Sequence, residues 1–243
     1  HDNEILVIPS VNHSSMNIGK RFWATDNTDI NRMFPGYDAG ETTQRIAAGL
    51  FDAIQGYSYG IQFPSFYLQG DFVPHVRMME TGFQSPSLAN LFGLPYVVIR
   101  KPKPIDTTTL NYNWQIWNTS AFSLYTSATS HIDEPSARMA VASVLRFLTR
   151  MGILRYTSHS GYLASVIRED DLTTVKNDLP GIYRRHAWAG GAPRGCAGFD
   201  HRPSGGGSYQ PRPFSYGWDR VFCPQCADGH GGDGDLQDYS ETA

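Results

Sequence analysis

Cysteine is scarce in this chain of 243 residues: there are three, and all lie beyond residue 195. Thiols confined to one end cannot staple a fold, so no disulfide framework is expected, and the scarcity favours the cytoplasm. Cys223-Pro-Gln-Cys226 is a lone C-x-x-C, and His230 nearby does not complete a ligand set, so structural zinc is not expected there. No run of Lys or Arg stands out and the formal net charge is −3, which argues against nucleic acid or anionic membrane as a partner. No apolar stretch approaches the ~20 residues that a membrane-spanning helix needs. A signal peptide is also missing, but the chain opens on His1 rather than Met, so the true N-terminus is expected upstream.

Branched aliphatic residues nearly vanish after Tyr183. From Arg185 to Ala243 there is one Val (Val221), one Leu (Leu236) and no Ile, while the same 59 residues hold 12 of the 24 glycines. At ~25 cal/mol per Å² of apolar burial, a few aromatics cannot offset roughly 1–2 kcal/mol of backbone ordering per residue. Residues 185–243 are therefore expected to form an irregular tail, with Trp188, Trp218 and Phe222 making only local contacts.

What is present upstream is α/β in pattern. Ile5-Leu-Val-Ile-Pro9 reads as a short buried strand running into a polar turn at Ser10 and Asn12. Residues 41–55 read as an amphipathic helix with Ile46, Ala47, Leu50, Phe51 and Ile54 on one stripe. Strands are expected at 59–63, 96–100 and 121–126, and a short helix at 86–92. A long aromatic loop through Phe66, Tyr67 and Phe72 should follow the first of these strands. Asp133 is a good N-cap for a helix ending near Met151, with Val141, Val144, Leu145, Leu148 and Met151 as its stripe. Strands alternating with helices imply a mostly parallel or mixed sheet flanked by helices over residues 1–155. Short alternating segments at 156–184 suggest the start of a small β domain.

The most informative stretch is Arg21 to Gly36, R-F-W-A-T-D-N-T-D-I-N-R-M-F-P-G. A guanidinium offers five donors in a planar fork that matches a carboxylate, and an amide beside it can hold a carbonyl. Arg21, Asn31 and Arg32 just past a strand end suit the grip of a small acidic substrate. Chemistry alone leaves open an Arg salt-bridged to Asp26 or Asp29 on a loop.

Pro9, Asn12, Arg21 and Asp29-Ile-Asn-Arg-Met-Phe-Pro-Gly36 together resemble the succinylglutamate desuccinylase/aspartoacylase family, zinc-dependent deacylases related to carboxypeptidases. Weaker similarity runs on to about residue 184, through Phe72-Val-Pro-His-Val-Arg77 and Phe92-Gly-Leu-Pro95. The resemblance implies a zinc-carboxypeptidase-like α/β fold followed by a small, incomplete β domain. Against that family the chain reads as truncated at its N-terminus, and the tail as an out-of-frame or otherwise altered reading of the β-domain sequence, with a genuine disordered tail as the alternative. It also implies a catalytic Arg21 that stabilises an oxyanion, and Asn31 and Arg32 as a substrate-carboxylate clamp. The substrate would be an N-acyl amino acid or similar small carboxylate, and Arg32→Ala is expected to abolish affinity with little loss of folding.

Zinc needs three protein ligands, which this family supplies as an H-x-x-E pair and a later His. His1-Asp-Asn-Glu4 has the first spacing, but the strand begins at once with Ile5, so the true pair is expected upstream of the chain. Ile61-Gln62-Phe63 stands where the family has Asp-x-His, leaving His75 as the nearest candidate. A loop histidine bonded to backbone is its competing reading. Tyr125 occupies the place of the family's general-base Glu, and the only acid near His75 in sequence is Glu80. Two functions follow: a zinc-dependent deacylase, or a binding protein of deacylase fold that keeps the clamp without the base. Metal content would separate them.

Overall fold

A computed structural model of the chain describes residues 3–65, 72–127, 133–157 and 159–172. One compact unit covers His1–Asp170, and a second covers Asp171–Ala243, nearly all of it outside the described residues. The expected irregular tail, 185–243, lies outside them too. Among the described residues no helix is long and apolar enough to cross a membrane.

Five strands form one mixed sheet: β1 (Tyr59–Gln62), β2 (His75–Met79), β3 (Tyr96–Arg100), β4 (Ser120–Tyr125) and β5 (Ser165–Arg168), in the order β1-β4-β2-β3-β5. All pairs are parallel except β2 with β4. The loop leaving β1 and the loop leaving β3 therefore lie at opposite ends of the sheet. The alternating residues at 160–167 contribute β5, which extends the main sheet beside β3.

Each face has its own cover. On one side Val76, Met78, Val97, Phe122 and Leu124 pack against α3 (Pro86–Asn90), Phe92 and α5 (Glu134–Arg150). On the other, Ala121 packs with Phe34, α2 (Thr42–Ile54) and α4 (Leu110–Ile116). A Cβ on Gly60 would come within 2.7 Å of the Trp114 ring, so α4 sits directly on the sheet there. α2 starts where expected because Glu41 N–H donates to Gln44 Oε1 at 3.1 Å and the Asp26 carboxylate accepts from Thr43 N–H at 3.0 Å.

Three expectations need correction. Ile5, Leu6, Val7 and Ile8 form no strand and are exposed, because no described strand pairs with the outer edge of β1 to extend the sheet over them. The reading of His75 as a loop histidine gives way to β2, whose alternating His75, Arg77 and Met79 share the α4 face while Val76 and Met78 enter the opposite core. On α5, Val144, Leu148 and Met151 of the expected stripe do pack against the core, but Val141 is 59% exposed and the most deeply buried side chains are Ser143 and Phe147.

Candidate functional site

The R-F-W…F-P-G run is fastened residue by residue. Ile30–Arg32 is a 3-10 turn begun by Asp29, whose Oδ1 accepts from Asn31 N–H at 3.0 Å. Asn12 Nδ2 donates to the Arg21 carbonyl oxygen at 3.3 Å. Arg21 reaches the loop leaving β1, with Nη1 donating to Ser65 Oγ at 3.2 Å and Nη2 3.6 Å from Asp29 Oδ2. Asn31 Oδ1 accepts from Leu110 N–H at 3.2 Å, at the start of α4. Arg32 Nη1 donates to the Ile105 carbonyl at 2.9 Å and to Asp106 Oδ1 at 3.2 Å.

Asp106 is the hub of that end. Its side chain is 1% exposed and its other oxygen, Oδ2, meets Arg100 Nη2 at 3.0 Å and Lys103 N–H at 2.9 Å. Arg100, the last residue of β3, also reaches Glu169 at 3.1 Å. Arg21 is thus tied to one end of the sheet and Arg32 to the other. The Arg–Asp pairing that chemistry alone left open is present at Arg21, and Arg32 has a buried carboxylate partner of its own. The expectation that Arg32→Ala spares folding does not fit this geometry, because the change leaves Asp106 buried with one cation fewer.

The sheet itself holds a polar row under α4. Strand register sets Gln62, Ser123 and Arg77 side by side, with His75 and Tyr125 paired one step along the same face. The His75 and Tyr125 rings stack at 5.0 Å, and the Arg77 guanidinium lies 4.7 Å from the Tyr125 centroid. Gln62 Nε2 donates to Ser123 Oγ at 2.7 Å, and the Asn111 amide lies 3.0 Å from the same hydroxyl. Gln115, one helical turn on, continues the chain to Thr81. The sequence held a signal for this row: Ser123 and Tyr125 alternate on β4, and Asn111 and Gln115 are four apart on α4. It was invisible without the register.

His75 is 8% exposed and its Nδ1 lies 2.8 Å from the Val73 carbonyl oxygen. Burial first, and the Arg77 guanidinium second, push the imidazole down to about 3 against the opposing bond to Val73. The ring is neutral at physiological pH. The unfolded chain takes up this proton near pH 6.5 and the folded chain only near 3, so stability falls as acid is added across that window. Between pH 7.5 and 5, wild type should lose about 2 kcal/mol more than His75→Gln in urea titrations. Equal losses would mean that the folded imidazole takes up its proton at the same pH as in the unfolded chain.

Glu4 accepts from the Tyr57 hydroxyl at 2.8 Å, Glu80 pairs with Arg168 at 3.0 Å, and His1 lies outside the described residues. Among the described residues no three His, Cys, Asp or Glu side chains gather into a metal site. With His75 buried against Tyr125 and both glutamates engaged elsewhere, these residues do not fit a zinc ion.

No family model matches the sequence, and no curated protein matches it significantly. Solved structures do match the fold. A succinylglutamate desuccinylase/aspartoacylase from Rhodobacter sphaeroides aligns at TM-score 0.60 and 21% identity, over 76% of this chain and 58% of that one. The product-bound ectoine utilization protein EutE (DoeB) from Ruegeria pomeroyi aligns at TM-score 0.60 and 18% identity, over 76% and 58%. An aspartoacylase family protein from Mesorhizobium loti aligns at 0.57 and 16%, over 74% and 55%. The chain therefore spans under two thirds of the length of these structures. Its fold is that of the succinylglutamate desuccinylase/aspartoacylase structures, the same family that residues 21–36 resemble.

Proposed function

We propose that this chain is the α/β core of a deacylase-type amidohydrolase that takes an N-acyl amino acid or a similar small carboxylate, with the cytoplasm as its setting. The observation that supports this most is the Asp29-Ile-Asn-Arg-Met-Phe-Pro-Gly36 run, anchored between the sheet, α2 and α4 in a fold shared with desuccinylase and aspartoacylase structures. Arg21 would meet the negative charge that develops on the scissile carbonyl oxygen, and Asn31 and Arg32 would orient the substrate carboxylate. Zinc is the cofactor the resemblance implies. Since the described residues do not fit it, no step is derived through a metal.

The test is calorimetric binding of N-succinyl-L-glutamate to the chain and to two Arg32 variants. Arg32→Lys keeps a cation for Asp106 but gives up the planar fork, so affinity should fall roughly 10- to 100-fold with stability nearly unchanged. Arg32→Ala should lose the same affinity and also about 1–2 kcal/mol of stability, because Asp106 keeps only Arg100 and Lys103 N–H. Wild-type protein that neither binds nor hydrolyses any N-acyl amino acid offered would defeat the reading.

A further inference from the structure

The polar row has a direction, and the direction points at a ligand. Gln115 satisfies all its neighbours only when its Nε2 donates to the Met79 carbonyl oxygen at 3.0 Å and its Oε1 accepts from Met79 N–H at 3.3 Å. Its oxygen then lies 2.9 Å from the Asn111 amide, which must present Nδ2 to it. The Asn111 oxygen consequently faces Ser123, 3.0 Å away, and the Ser123 hydroxyl donates to it. That leaves Ser123 Oγ a lone pair, which accepts from Gln62 Nε2 at 2.7 Å. Each bond settles the next, from the Met79 backbone through α4 to the last residue of β1.

At the end of this chain, Gln62 Oε1 accepts no hydrogen bond among the described residues. The residue is half-buried, and its Oε1 is not buried away from solvent, so a ligand group can reach it. Three residues further along, Ser65 accepts from Arg21. A fixed acceptor on the last residue of β1 and a guanidinium that reaches the loop leaving β1 are the complement of an amide group, which offers an N–H beside a C=O. A side chain serving only to fill the sheet would not need an amide locked by four other polar groups.

We propose that Gln62 is a positioning residue whose side-chain carbonyl accepts the N–H of the substrate's scissile amide while Arg21 faces its carbonyl oxygen. The inference rests on the deacylase reading and sharpens it: the site selects amides over the isosteric esters. Two measurements separate its failure from the failure of that reading. The first needs no substrate: the side-chain amide protons of Gln62, assigned by their absence in Gln62→Leu, should be protected from solvent exchange in wild type. Ser123→Ala should release that protection. Exchange as fast as in an exposed glutamine would overturn the locked orientation, and the inference with it.

The second compares calorimetric binding of N-succinyl-L-glutamate with its ester counterpart 2-(succinyloxy)glutarate, which lacks the N–H. Gln62→Leu should weaken the amide roughly three- to tenfold and leave the ester within error, erasing the wild-type preference. Equal weakening of both probes would reduce Gln62 to a structural role and overturn the inference while the deacylase reading stands. Wild type that binds neither probe overturns both.

Discussion

Gly36→Ala is expected to destabilise the protein by about 4 kcal/mol or to prevent folding, as one methyl group meets helix backbone at left-handed φ. Gly36 has φ +97°, and a Cβ there would lie 2.1 Å from Ala48 N, 2.4 Å from Ala48 Cα and 2.8 Å from Ala47 C. Those atoms are α2 main chain and cannot rotate aside. Nor can the turn withdraw: Phe34 N–H donates to the Thr108 carbonyl at 3.0 Å, Asn113 Nδ2 donates to the Phe34 carbonyl at 3.1 Å, and Tyr37 N–H donates to the Gln44 carbonyl at 3.2 Å. The same substitution at Gly49, inside α2 with no atom within 4 Å of its Cβ, should instead stabilise by about 0.5–1 kcal/mol through helix propensity. Urea midpoints of the two variants give the comparison. A Gly36→Ala protein as stable as Gly49→Ala would show that the turn does not press on α2. The glycine that closes the Asn31–Arg32 run is thus a packing requirement of where that run sits against α2.

That run was legible because its residues are adjacent, whereas its partners were not. Arg32 finds Asp106, Asn31 finds Leu110 N–H and Arg21 finds Ser65, at separations of 74, 79 and 44 residues. No local pattern encodes such pairings; only the register of the sheet and the docking of α4 produce them. Elements with strong periodicity and clear stops were readable: α2, α5, and the strands β1, β3 and β4. α4 was not, since Asn111, Tyr112, Asn113 and Trp114 have weak helix propensity and the helix forms because it packs its Leu110 and Trp114 into the core. β2 was hidden by the reverse problem. Its His75 and Arg77 suggested a polar loop, yet both lie on a sheet face where Tyr125 covers them. Residues 5–8 misled because four apolar residues in a row look buried, while burial depends on a neighbouring layer that the described residues do not supply.

Phe147→Ala should cost about 3–5 kcal/mol, the usual range for emptying a buried aromatic site. The ring is 0% exposed and stacks on Phe92 at 4.3 Å with 9° between planes; Tyr59 and Phe122 stand at 5.6 and 5.4 Å. These four rings join α5, the end of α3, β1 and β4, so the cavity would open where four elements meet. Collapse is opposed by Arg146, which donates to the His159 carbonyl at 2.8 Å and to the Phe92 carbonyl and so pins α5 at its present height. Val141→Ala on the same helix supplies the contrast: with its side chain outward it should change stability by less than about 0.5 kcal/mol. The two values come from the same urea titration. Near-equal costs would place the α5 contact elsewhere than at Phe147, and with it the support beneath β4, on which Ser123 and Tyr125 stand on the opposite face. A softened β4 would carry into the polar row, so Phe147→Ala protein that still folds should also lose the exchange protection of the Gln62 amide.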